Sequence, residues 1–97
     1  HRARIAAADG RVRAFWAWDP RADALAARAD AELAAGRDRG PLHGIPFAVK
    51  DMADVAGLPT TNGSRAADRA PAARDAEAVA RLIEAGAVPL GKVATYE

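Results

Sequence analysis

Cysteine is absent from the 97 residues, which excludes disulfides, thiol nucleophiles and thiolate metal sites together. Serine occurs once, at Ser64, and histidine twice, at His1 and His43, so no ligand cluster of recognisable metal spacing exists. Long hydrophobic runs are also missing. No apolar stretch approaches the ~18 residues of a membrane span, and the chain opens on His1 without a signal-peptide pattern. Charge of either sign is not in excess: 14 basic and 13 acidic residues are interspersed, which recommends neither nucleic acid nor a cationic partner. Large apolar side chains are few, since 28 residues are alanine and only 17 are Val, Ile, Leu or Phe. At roughly 25 cal/mol per Å², alanine burial does little against backbone ordering costs of about 1 to 2 kcal/mol per residue. The composition therefore reads as part of a larger folded unit.

The scarcest charged residue is lysine. Arginine occurs twelve times and lysine twice, at Lys50 and Lys92. Lys50 closes the short apolar run of Gly44-Ile45-Pro46-Phe47-Ala48-Val49-Lys50-Asp51, which has the character of a strand buried on both faces. A lysine at the carboxyl end of such a strand lies where open α/β sheets place ligands, and burial there lowers an amine's pKa toward neutrality. The structural alternative is an ion pair with Asp51 or another nearby acid.

Around this run the sequence predicts a helix ending at Asp9-Gly10 and a short extended segment or docking turn over 11–18. A second helix starts at Asp19-Pro20, with Ala22, Leu25, Ala26, Ala29 and Leu33 on one face and Gly36 as its stop. Residues 55–71 read as a loop. Asp75 is placed to cap a third helix with Ala76, Val79, Ala80 and Ile83 on its inner face, ended by Gly86, and residues 87–93 read as a strand. Strand, loop, helix and strand in that order make a βαβ crossover with parallel strands. The expected division is a helical lead-in over 1–39 and the lysine-bearing strand-loop-helix-strand over 40–97. His43 reads as a loop hydrogen-bonding residue. The carboxylate pairs Asp51 with Asp54 and Glu84 with Glu97 read as solvated, and Phe15, Trp16 and Trp18 as packing.

Residues 40–64, GPLHGIPFAVKDMADVAGLPTTNGS, and 74–97, RDAEAVARLIEAGAVPLGKVATYE, resemble the N-terminal part of the amidase signature family. The matching features are Gly44-Ile45-Pro46 with Val49-Lys50-Asp51, Gly57, Thr60-Thr61 with Gly63-Ser64, Asp75-Ala76, Ala85-Gly86-Ala87 and Gly91-Lys92. The resemblance implies an α/β fold, the N-terminal part of an α/β/α sandwich with a mixed sheet. It implies hydrolysis of carbon-nitrogen amide bonds other than peptide bonds by a Ser, cis-Ser, Lys triad, with no cofactor and no metal. Lys50 is then the catalytic lysine. A neutral amine takes a proton from a bridging serine, which takes one from the nucleophilic serine; arginine would stay protonated. The bridging serine sits on a cis peptide bond costing about 3 kcal/mol.

By the same resemblance both catalytic serines lie beyond Glu97. Ser64 is a structural or substrate-side hydrogen-bonding residue, and Lys92 is a tether between strand and loop. The expected partners are a small-molecule amide and the rest of the same chain, with no nucleic acid and no membrane; a homodimer and a cytoplasmic location are compatible. The 97 residues alone are expected to be inactive. Met52 and Gly91-Lys92-Val93-Ala94 depart from the pattern of the transfer-RNA amidotransferase A subunits. They favour a stand-alone amidase, with the amidotransferase, an allophanate hydrolase or a non-catalytic interaction module as alternatives.

Overall fold

A computed structural model describes residues 2–64, 66 and 70–94, so His1 and Glu97 lie outside the described residues. Helix α1 spans Arg2–Val12, strand β1 Phe15–Trp18, helix α2 Ala22–Ala34, strand β2 Pro46–Lys50, helix α3 Glu77–Glu84 and strand β3 Val88–Val93. The three strands form one mixed sheet in the order β1-β3-β2. β2 runs parallel to β3, and β1 runs antiparallel to it. The fold is thus mixed α/β with one βαβ crossover, β2 to α3 to β3, and the extended segment before α2 belongs to the sheet.

Register around the middle strand depends on one glycine. Val49 pairs with Lys92 and Lys50 with Val93, after an irregularity between Phe47 and Ala48. On the other side Trp18 pairs with Gly91, where a Cβ would stand 2.1 Å from the carbonyl oxygen of Ala17. Only a residue without a side chain lets β1 approach β3 this closely.

Four local expectations are corrected. α1 does not stop at Asp9-Gly10 but continues to Val12, and the chain turns at Arg13, whose φ is 53°. Asp9 acts after the helix: its carboxylate accepts from the amides of Ala14 (2.8 Å) and Phe15 (3.1 Å), steering the chain into β1. Asp19 is not the N-cap of α2: the helix begins at Ala22 with Arg21 at the cap and no side-chain cap bond, and Asp19 accepts from the amide of Arg21 at 2.8 Å in the turn before it. Asp75 does not cap α3; it faces Arg21 instead, and the amide of Ala76 donates to the carbonyl of Asp54 at 2.9 Å. On α2 the buried positions are Ala22 and Ala29, whereas Leu33 remains 45 % exposed beside Gly44. The small residues let α2 lie close to the sheet, and the larger Leu33 falls beyond the strands.

The core cluster consists of Val49, Val55, Leu58 and Val79, with Phe47 and Ile83 packed against it. Val79 and Ile83 come from the predicted inner face of α3; Ala80 is exposed. The rings of Phe15 and Trp18 stack in parallel at 5.0 Å, but Trp16 and Trp18 stay 38% and 42% exposed, so the expected packing holds only in part. Among the described residues no helix is long and apolar enough to cross a membrane.

Candidate active site

Side chains alternate along a strand, so Val49 enters the core and Lys50 projects from the opposite side of β2. Lys50 is exposed and Asp51 is 2 % exposed. The burial that the sequence suggests for the Lys50 amine is therefore not supplied by the described residues. The buried lysine is Lys92, which is 0 % exposed. Its register partner Val49 faces the core, and Lys92 shares that side of the sheet.

Asp51 is not solvated, as the sequence suggests, but is the anion of a buried network. Lys92 Nζ donates to Asp51 Oδ1 at 3.1 Å and to Thr60 Oγ1 at 2.8 Å. The amide of Thr61 donates to the same Oδ1 at 3.1 Å, and the Thr61 hydroxyl donates to Oδ2. Thr60 donates its own hydroxyl proton to Asp54 Oδ1 at 2.8 Å. Burial pushes the Asp51 carboxyl up, but the side-chain and backbone hydrogen bonds of Thr61, then Lys92, hold it below its ordinary value of 3.8. Lys92 therefore ties β3 to the loop that follows β2.

The backbone around Lys50 is equally constrained. Its carbonyl accepts from the amides of Met52 (2.6 Å) and Ala53 (3.2 Å), so the chain turns sharply as β2 ends. The amide of Asp51 extends the ladder to Val93 at 3.0 Å, and the Asp51 carbonyl receives the amide of Asn62 at 2.9 Å.

Ser64 uses its hydroxyl locally, accepting from the amide of Ala66 at 3.1 Å. His43 is a buried loop residue: Nδ1 accepts from the amide of Arg39 at 3.1 Å, so the ring proton resides on Nε2, 3.4 Å from Glu32 Oε1. Gly86 makes room for this ring, since a Cβ there would meet His43 Cδ2 at 2.5 Å. Among the described residues no group of three His, Cys, Asp or Glu side chains could hold a metal ion.

The buried network escapes a reading of local spacing because Asp51 and Lys92 are 41 positions apart. A usable signal exists: a lysine inside the apolar strand Val88–Val93 needs an acid at the end of a neighbouring strand.

A mixed sheet with a parallel pair, a lysine at the carboxyl end of one strand and a Lys-Asp pair buried beside it define an α/β scaffold. Residues 2–97 match the family model described as Amidase, and the chain belongs to the amidase signature family. It is 49% identical to an amidase from Pseudomonas putida over 79 residues, covering 81% of this chain and 16% of that protein. It is 50% identical to the A subunit of glutamyl-tRNA(Gln) amidotransferase from Salinispora arenicola over 95 residues, covering 95% of this chain and 19% of the relative. The native peptide amidase from Stenotrophomonas maltophilia superposes with a TM-score of 0.85 at 46% identity, over 94% of this chain and 19% of that one. The chain thus spans less than a fifth of the length of these relatives. The amidase and the amidotransferase match it equally well, so the departures at Met52 and Val93-Ala94 do not separate the two.

Proposed function

We propose that this chain contributes the lysine of an amidase that hydrolyses carbon-nitrogen amide bonds through a Ser, cis-Ser, Lys relay, with Lys50 as the proton acceptor. The observation that carries this reading is the division of labour between the two lysines. Lys92 is wholly buried and tied to Asp51 and Thr60, whereas Lys50 presents an exposed side chain at the carboxyl end of β2.

In the reaction, the hydroxyl of a nucleophilic serine attacks the amide carbonyl and passes its proton to a bridging serine, whose own proton moves to the neutral Nζ of Lys50. As the tetrahedral intermediate collapses, the proton returns along the same relay to the leaving nitrogen. Water then enters in place of the amine and releases the acid. Ser64 is the single serine of the 97 residues and its hydroxyl serves a local turn, so both relay serines come from elsewhere in the folded enzyme. The substrate is a small-molecule amide.

The test is Lys50→Ala in the polypeptide as its gene encodes it, assayed by release of ammonia or amine from simple amides. Removing a relay member is expected to lower kcat by about 10³-fold or more. Folding is expected to survive, because exposed substitutions usually change stability by no more than about 0.5 kcal/mol. A fully active Lys50→Ala enzyme would sink the proposal. The identity to the amidotransferase supports a second reading, an enzyme that needs partner subunits; turnover of simple amides without added partners counts against it.

A further inference from the structure

We propose that the buried Asp51, Lys92 and Thr61 side chains are positioning residues for Lys50, clamping the end of β2 so that the Lys50 side chain leaves the sheet in one fixed direction. The inference rests on the reading of Lys50 given above and adds to it the residues that hold it.

Asp51 is the residue next to Lys50, and each of its polar groups is engaged. Its amide donates to Val93, its carbonyl accepts from Asn62, Oδ1 accepts from the Thr61 amide and from Lys92, and Oδ2 accepts from the Thr61 hydroxyl. On its other side Lys50 is paired with Val93, the neighbour of Lys92. Strand pairing precedes Lys50, a tight turn follows it, and the clamp fixes the first residue of that turn. An apolar pair of similar shape would fill the space without the desolvation cost of two charges, but it would not impose directional bonds on the strand end. A relay lysine needs such direction, because displacement of about 1 Å in a reacting group can cost about a hundredfold in rate.

The experiment uses Thr61→Val and the neutral double variant Asp51→Asn with Lys92→Met, beside Lys50→Ala, all in the full gene product. Folding is followed by circular dichroism and turnover by kcat and KM on a simple amide. Positioning predicts KM within about twofold of the parent, with kcat lowered about three- to tenfold in Thr61→Val and about ten- to a hundredfold in the double variant. A merely structural role would leave the kcat of the folded fraction unchanged. Folded variants with parental kcat, or a loss confined to KM, would overturn the inference. If the double variant does not fold, Thr61→Val decides alone. Should Lys50→Ala stay active, the reading of Lys50 itself fails; an inactive Lys50→Ala beside an unimpaired Thr61→Val removes only the positioning role.

Discussion

Lys92 on β3 donates to Asp51 at the end of β2 across 3.1 Å, and neither side chain reaches solvent. The pair joins two parallel strands whose connection runs through the whole loop and helix between them. It is the most deeply buried charged contact among the described residues, and it lies one residue from Lys50, the lysine proposed as the proton acceptor.

Breaking this pair from one side is expected to be far worse than removing it entirely. Lys92→Met leaves the Asp51 carboxylate buried with Thr61 alone and is expected to cost about 3 to 5 kcal/mol. The double change Asp51→Asn with Lys92→Met leaves no buried charge and is expected to recover most of that loss. Urea unfolding midpoints of the two single variants and the double variant close the cycle. Additive losses would show that the charges do not interact.

The same pair makes stability depend on acid. Asp51 and Asp75 both have carboxyls held below their ordinary value of 3.8. For Asp75 the guanidinium of Arg21 is the main cause, opposed by burial and helped by the amide of Ala56. A depressed folded pKa means that the unfolded chain binds protons first. Their contribution is therefore fully present above pH 3.8 and is lost as pH falls through the lower folded values. Unfolding midpoints measured from neutral pH down to strong acid are expected to drop steeply only in that acid range, with a shallower drop for Asp75→Asn.

How much of this is legible in the sequence divides along the range of the interactions. The βαβ order and the inward Val79 and Ile83 of α3 follow from local spacing, and the structure has them, whereas α2, read from Asp19-Pro20, begins only at Ala22. The motif around Lys50 likewise locates the end of β2, while the sharp turn behind it is seen only in the structure. The roles of Asp51 and Asp75 are hidden because each is decided by a distant cation, Lys92 or Arg21, that spacing cannot place. Asp9 misleads for a local reason: its carboxylate reaches forward to Ala14 and Phe15, so the helix passes through Gly10 and turns at Arg13.

Two glycines separate close packing from mere helix weakening. At Gly91 a Cβ would meet the Ala17 carbonyl at 2.1 Å, and backbone cannot rotate away as a side chain can. Gly91→Ala is expected to part β1 from β3 and cost about 3 kcal/mol or more. Gly10 lies inside α1 with nothing within 4 Å of the Cβ position. Gly10→Ala is expected to stabilise by about 0.5 to 1 kcal/mol through the lower entropy of the unfolded chain. Thermal midpoints moving in opposite directions confirm the contrast, and a tolerated Gly91→Ala would refute the close approach.

Arg21 links the starts of the two helices that follow β1 and β2. Its Nη1 and Nη2 donate to Asp75 Oδ2 and Oδ1 at 3.1 and 3.0 Å, while Nε and Nη2 donate to Asp19 at 3.1 and 2.8 Å. One planar guanidinium thus serves two carboxylates in fork geometry, and the two acids raise its pKa further. Lysine keeps the charge but offers no fork, so Arg21→Lys satisfies one acid at the expense of the other. The Asp19 side chain is fully buried and its partner is 34% exposed, which places the loss above that of a surface pair, at about 1 to 3 kcal/mol. A double-mutant cycle with Asp75→Asn measures the coupling directly. If Arg21→Lys is as stable as the parent, charge alone suffices and the fork geometry contributes nothing.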